Sequence, residues 1–434
     1  MQILAPRFVL SSKLGLVVLL AAGLALALGL AAPAQAGGVV GDGTPASCTW
    51  AALNTAMTGG GTVTFNCGPA PVTIVLNGSL VVFGGETATV DGGGLITLDG
   101  NDNLQIFLVV NGGSLYLRNI NLIRGRSFSG GAIGNQPNGT LDLYRVTIEQ
   151  SVADGSSSGS GGGAIYSQGI LRIDQSVLIQ NTAFNLANPP RSGGALSIGG
   201  GTATVRNTTF MSNTANYGGA IYVPLGTLNL ENVSLIGNTA SASLFIDGQG
   251  GAIYSFATLH ITNTTFARNV ADTAGGLYAA TFSNNSLVNV TMNANHADTA
   301  GGILRAGSTS TTLKNTIVAN SRDRNDTSDS LECDGPSITS LGNNIISDGS
   351  CFAGLPSDQK NTDPLLGPLA DNGGPTLTFV PQAGSPAINT GSNTGCPATD
   401  QRGASRPFGP ACDVGAVEYG ANPPSLWLPV VTRS

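Results

Sequence analysis

A Gly-Gly-Ala-aliphatic motif recurs along the middle of the chain, and no other sequence feature constrains the fold as strongly. It stands at Gly130-Gly131-Ala132-Ile133, Gly162-Gly163-Ala164-Ile165 and Gly193-Gly194-Ala195-Leu196, then at Gly218-Gly219-Ala220-Ile221 and Gly250-Gly251-Ala252-Ile253. Looser copies are Gly275-Gly276-Leu277-Tyr278 and Gly301-Gly302-Ile303-Leu304, and successive copies lie 32, 31, 25, 32, 25 and 26 residues apart. A short alternating strand follows each copy, for example Leu141-Asp142-Leu143, Leu171-Arg172-Ile173, Leu228-Asn229-Leu230 and Leu259-His260-Ile261. Alternation with period two puts the aliphatics on one face and the polar residues on the other. An Asn column comes next, at Asn119, Asn207, Asn232, Asn263, Asn289 and Asn315, with Arg145 and Gln175 filling two places. A second Asn then follows an apolar residue by three positions: Leu178 and Asn181, Phe210 and Asn213, Leu235 and Asn238, Phe266 and Asn269, Met292 and Asn295.

Strands this short cannot bury a face alone. Stacked as successive coils, each pairs in parallel with its copy above and below, and together they enclose a continuous core. The paired glycines supply positive dihedrals and close approach at one corner. Asn at another corner tolerates left-handed backbone and can bond to the next Asn and to the turn backbone. The expectation is an all-β, single-stranded parallel β-helix. Val63-Thr64-Phe65, Ile74-Val75-Leu76, Leu80-Val81-Val82, Ile96-Thr97-Leu98 and Leu115-Tyr116-Leu117 place coils before the first Gly-Gly copy, and 47–58 has the helical character of a plug for the open first coil. The division expected is 1–36 targeting segment, 37–70 N-terminal cap, 71–330 repeats, 331–420 C-terminal module and 421–434 tail.

Composition agrees with repeated turns. The chain holds 62 glycines in 434 residues, and only 10% of residues are charged, against about a quarter in an ordinary soluble domain. With a net charge of −7 and no basic stripe, a nucleic-acid partner is excluded. Arg7 and Lys13 precede an uncharged run from Leu14 to Ala32, and Ala34-Gln35-Ala36 follows as a small-x-small pattern. That is a signal peptide cleaved after Ala36; the competing reading is an uncleaved anchor, because the 19-residue run just reaches spanning length. Either way the body is exported, and no second run spans a bilayer. The six cysteines suit that oxidising destination and fall into three close pairs, Cys48 with Cys67, Cys333 with Cys351 and Cys396 with Cys412. Loops of this size contribute about 3 kcal/mol each in the chain-entropy model.

The alternation of Gly-Gly-Ala-aliphatic with Phe-x-x-Asn over residues 130–320 resembles the repeats of the bacterial polymorphic outer-membrane proteins. The resemblance implies a surface adhesin with a right-handed β-helix of pectin-lyase-like shape, the hand expected for parallel crossovers. Those proteins end in a membrane barrel, and the series of amphipathic strands that would form one is missing after residue 320. A second resemblance covers about 333–418. It is carried by Asp363-Pro364-Leu365-Leu366-Gly367-Pro368-Leu369, Asp371-Asn372-Gly373-Gly374-Pro375-Thr376, Gly384-Ser385-Pro386-Ala387-Ile388-Asn389, Asp400-Gln401-Arg402-Gly403 and Cys412-Asp413-Val414-Gly415-Ala416-Val417-Glu418. This looks like the choice-of-anchor module that follows β-helices in secreted bacterial proteins. Thr44 to Gly94 is similar to the N-terminal segment of the same proteins. In the tail, Leu428-Pro429-Val430-Val431 lacks the Thr-Gly and hydrophobic helix of a sortase signal.

Many β-helices cleave acidic polysaccharides, yet fold does not imply function. The Gly-His-Gly and Arg-x-Lys motifs of pectin hydrolases do not occur. His260 lies on the outward phase of its strand, and His296 takes the place of Val270 one coil earlier; neither has an evident orienting partner. Asp400, Arg402, Arg406, Asp413 and Glu418 cluster by type, and an internal ion-pair and hydrogen-bond network stabilising the cap explains them as well as a site does. The expected function is a noncatalytic cell-surface or secreted adhesin, glycan binder or stalk, acting as a monomer on a polysaccharide or cell-surface ligand. The alternative is a polysaccharide lyase or glycoside hydrolase with an unfamiliar site. No cofactor is expected beyond weak Ca²⁺. Its candidate ligands are Asp272 and Asp298, in near-identical contexts 26 residues apart, where stacked carboxylates share a cation or cap their own turns.

Overall fold

The structure, a computed structural model, describes residues 37–424 except 156–160, 185–190, 245, 308, 336–337 and 353. The targeting segment 1–36 and the tail from 425 onward lie outside the described residues. One coil shows the route of the chain. Ile165–Ser167 leads through a glycine turn into Ile170–Asp174, then Val177–Ile179, then Thr182–Ala183, before the next Gly-Gly corner. Every one of these strands pairs in parallel with its copy in the coils before and after. The result is a right-handed parallel solenoid of about 11 turns, roughly 50 Å long at about 4.8 Å per turn. Its strands form one 21-stranded sheet with a bend along its middle, one 10-stranded sheet and one 7-stranded sheet.

The alternating strands build the core as columns. Leu117, Leu143, Ile173, Val205, Leu230, Ile261, Leu287 and Leu313 are register partners in consecutive coils, and each is 0–1% exposed. At about 1.5–3 kcal/mol per fully buried side chain, such columns supply the main driving force for stacking. The second glycine of each motif holds the coils together at close range. A Cβ on Gly194 would lie 2.1 Å from the Gly219 carbonyl oxygen, and one on Gly219 would lie 2.2 Å from that of Gly251. No side chain fits there.

The corners divide their labour in a way the sequence does not announce. The column Asn119, Arg145, Gln175, Asn207, Asn232, Asn263, Asn289 and Asn315 has φ between 46° and 57° throughout, so left-handed backbone is its common property, whatever the residue. The second Asn of each coil instead forms a buried ladder. The Asn181, Asn213, Asn238 and Asn269 Nδ2 atoms each donate to the Oδ1 of the next Asn, at 2.8–3.0 Å, ending on Asn295. A further left-handed column, unforeseen because its residues share no chemistry, runs just before that ladder through Gln150, Gln180, Ser212, Gly237, Arg268, Ala294 and Asn320. The looser glycine copies also sit one residue away from the expected alignment. Ile253 pairs with Leu277, not Tyr278, so Ala274 takes the left-handed first position with φ 60°. The Ala-Gly-Gly triplet is what stacks.

The first coil is closed by the helix Trp50–Met57, capped by Thr49 and inserted through Leu53 and Met57. The disulfides join Cys48 to Cys67, Cys333 to Cys351 and Cys396 to Cys412. Parallel pairing continues past residue 330, as far as Gln359–Lys360. Residues 363–424 then differ from the small β module expected. They contain isolated antiparallel bridges rather than strands, and they lie along the flank of the last coils instead of across the end. Asn263 donates to the Thr399 carbonyl at 2.8 Å, Asn289 to those of Asp413 and Gly415 at 3.2 Å, and Asn315 to that of Ser392 at 3.0 Å. Gln401, fully buried, donates to Val233 O and Ser234 Oγ and accepts from Thr265 Oγ1. Among the described residues no helix is long and apolar enough to cross a membrane.

Candidate functional site

The outward positions of the alternating strands form a continuous strip on the large sheet. In register, Tyr116, Asp142, Arg172 and Thr204 make one row, and Arg118, Tyr144, Asp174, Arg206 and Glu231 make the next. Between the rows lies an open groove of about 570 Å³ bounded by Arg118, Asp142, Tyr144, Arg172, Asp174 and Arg206. Strand backbone on both sides fixes these side chains in place, as a preorganised surface requires.

Most charges in the groove are already matched. Arg118 pairs with Asp142 at 2.8 Å and lies 5.5 Å from the Tyr116 ring centre. Arg145 lies 5.1 Å from the Tyr144 ring centre and donates to Gln175. Asn207 donates to Asp174 at 2.9 Å, and Arg206 pairs with Glu231 at 2.8 Å. Arg172 makes no ion pair among the described residues, and it stands between Asp142 and Thr204 in its row. The arrangement offers two tyrosine rings, amide and carboxylate acceptors, and one uncommitted guanidinium. Such a mixture suits hydroxyl-rich ligands, which take stacking contacts and bidentate hydrogen bonds together.

A tyrosine ladder on the outer face of the 10-stranded sheet has a different character. Tyr254 stacks on Tyr217 and Tyr278 with ring centres 5.0 and 4.6 Å apart. The rings face one another along the solenoid, so their π faces are already used. Burial pushes the Tyr166, Tyr217, Tyr222, Tyr254 and Tyr278 phenols up from their ordinary value, which keeps them protonated. This ladder is packing.

The two histidines lie apart. His260 is exposed between Asn229 and Ser286 on the large sheet, and His296 is in the 7-stranded sheet opposite Val270, as its sequence position implies. Asp272 and Asp298 do come together on consecutive coils, where the Asp298 amide donates to the Asp272 carbonyl at 3.1 Å. Their shared cation is a side chain that the sequence pattern did not reveal. Arg324, from the following coil, pairs with Asp272 and lies 3.1 Å from Asp298, and Asp272 also accepts from the Gly248 amide at 2.6 Å. A cation bound by these two carboxylates would have to displace the Arg324 guanidinium. Arg324→Ala is expected to cost about 1 kcal/mol and to increase any rise in melting temperature that calcium produces; adding Asp272→Asn and Asp298→Asn should abolish it. A calcium response equal in all forms would remove these carboxylates from consideration. Among the described residues no cluster of three or more His, Cys, Asp or Glu is placed to hold a metal ion.

The C-terminal charges assemble as an internal network. Arg402 holds Asp400 through Nε at 2.9 Å and Nη2 at 2.8 Å and donates to the Glu418 and Ala421 carbonyls. Arg406 reaches the Asp413 and Gly415 carbonyls and lies 3.5 Å from Glu418. Every remaining carboxylate oxygen is met by backbone N–H groups, among them those of Ala404, Phe408, Asn389 and Tyr419. All five charged side chains are buried, which marks the cluster as a structural lock and not a surface site.

No family model, curated protein or solved structure matches the chain.

Proposed function

We propose that the protein is a noncatalytic extracellular or cell-surface β-helix that binds glycans along the outer strip of its large sheet. The observation that carries this reading is Arg172, uncommitted in a groove flanked by Tyr144 and by the Arg118–Asp142 pair. Both groove carboxylates are engaged by Arg118 and Asn207, which favours holding a ligand over the proton transfers of polysaccharide cleavage. Three disulfides support an oxidising destination, and the likeness of the repeats to those of bacterial surface adhesins supports display on a cell. A rod whose outward side chains stack from coil to coil is suited to extended polymers.

A glycan array probed with the mature protein tests this. The expected result is retention of a subset of glycans without release of reducing ends or unsaturated products. Arg172→Ala and Tyr144→Ala are each expected to weaken retention about tenfold, the loss of one charge-assisted bond or one stacking contact. Reproducible cleavage of any bound glycan would replace the binding role with an enzymatic one.

A further inference from the structure

A second groove, of about 600 Å³, opens on the edge of the 7-stranded sheet and is formed by residues from three consecutive coils. Val270, His296 and Arg322 are neighbours in one row across those coils. Arg268, Ala294 and Asn320 make the adjacent row, each in left-handed backbone with φ 54°, 55° and 58°. Ala294 is the anomaly. Alanine gains nothing from this conformation, which costs free energy for any residue with a Cβ, while earlier coils place Gln150 and Gln180 there. What the alanine supplies is space. Its short side chain leaves a floor between Arg268 on one side and Arg322 on the other.

Three arginines line this groove in a chain of net charge −7. Arg324 is held by Asp272 and Asp298. Arg322 has only an exposed partner, Asp326, at 3.4 Å, and Arg268 makes no ion pair among the described residues. His296 approaches the Asp323 carbonyl through Nδ1 at 3.3 Å; a carbonyl only accepts, so this contact selects the tautomer with the proton on Nδ1, in which Nε2 is the acceptor. Arg268, free of any ion pair among the described residues, and Arg322, held only by the exposed Asp326 at the groove's rim, together call for an oxyanion that displaces Asp326. An imidazole acceptor beside them calls for a hydroxyl on the same ligand. A sugar acid has both.

We infer that this groove holds a uronic-acid residue of an acidic polysaccharide, with its carboxylate between Arg268 and Arg322 and a ring hydroxyl donating to His296 Nε2. The inference rests on the glycan-binding reading but concerns a different face, and it names the charge class of the ligand. A cavity of this size accommodates one or two sugar residues.

Titration calorimetry with a uronate hexasaccharide, a neutral hexaglucoside and free glucuronate tests it on the wild-type protein and four variants. Arg268→Ala and Arg322→Ala are each expected to weaken hexauronate binding about tenfold. Ala294→Gln fills the floor with a residue that the same corner accepts in earlier coils, so it should weaken binding equally while leaving the melting temperature unchanged. The neutral sugar should be insensitive to all three changes. Hexauronate binding unaffected by all three would overturn the inference, and if Arg172→Ala alone removed binding, the role of the large sheet would still stand. Absence of glycan binding in every arm would remove both. Free glucuronate binding as tightly as the hexasaccharide would reassign the groove to small carboxylates and overturn the polysaccharide assignment.

Discussion

Replacing Asn238 with leucine is expected to destabilise the middle coils by about 3–5 kcal/mol, from two to three orphaned buried polar groups at about 1–3 kcal/mol each. Asn238 Oδ1 accepts from both the amide and the Nδ2 of Asn213, at 3.0 and 2.9 Å, while its own Nδ2 donates to the Phe210 carbonyl at 3.1 Å and to Asn269 at 2.9 Å. The site is fully buried, so water cannot replace these partners. Asn232, six residues earlier, provides the contrast. It belongs to the left-handed column with φ 57°, and Asn232→Gly keeps that backbone, so its cost should stay near or below about 1 kcal/mol. Denaturation midpoints of the two variants check the difference. Equal losses would mean that the ladder contributes no more than an ordinary corner. Because each repeat contacts only its neighbours, hydrogen exchange should also show the effect of Asn238→Leu concentrated around its own and adjacent coils.

Arg402→Met should release the flanking segment 363–424 from the solenoid while the coils remain folded. The substitution preserves much of the side-chain volume but leaves Asp400, fully buried, without its cation, and breaking a buried pair in this way costs about 3–5 kcal/mol. Arg402→Lys is expected to rescue little, since one ammonium cannot reproduce the two-pronged contact with Asp400 and the bonds to the Glu418 and Ala421 carbonyls. Limited proteolysis should cut the variant after residue 360 and leave a resistant body. Simultaneous digestion of the whole chain would show instead that the segment and the coils unfold as one unit. The same cluster gives the segment a pH response. Burial pushes the Asp413 carboxyl up to about 6, above the ordinary value of an unfolded aspartate, so the folded form binds the proton more tightly. The stabilisation is full below about pH 4 and is lost as pH rises through about 6. Relative to Asp413→Asn, the wild type should therefore lose stability across that interval.

The coil was legible because each repeat repeats its own pattern. Leu141-Asp142-Leu143 and its copies mark the inward and outward faces, and Gly194 and its counterparts mark where backbone meets backbone. The roles of the two Asn columns were harder to separate, since one residue type serves both left-handed backbone and buried bonding. The column through Gln180, Ser212 and Ala294 was invisible because its common property is a dihedral angle, which several residue types adopt. Asp272 and Asp298 stand on consecutive coils, 26 residues apart, but Arg324 lies in the sequence after the last clear copy and no repeat predicts it. The ion-pair cluster of residues 400–418 could be read from composition; its position along the flank could not, because contacts such as Gln401 with Val233 and Thr265 join segments more than 130 residues apart.

A stack of parallel strands has no intrinsic length, since its last coil presents the same unpaired amides and carbonyls that accepted the coil before it. In this chain the first coil and the asparagine ladder are each closed by a specific group. The helix Trp50–Met57 fills the first coil, and its Trp50 indole donates to the Gly78 carbonyl at 3.0 Å. At the other end the place of the next ladder asparagine is taken by Ser321, whose amide and hydroxyl both donate to Glu332 at 3.0 and 2.6 Å. A carboxylate offers no amide to a further coil, and burial pushes the Glu332 carboxyl up. The ladder thus runs in one direction and terminates in a group that cannot propagate it, which makes each molecule a poor seed for end-to-end fibres of its own kind.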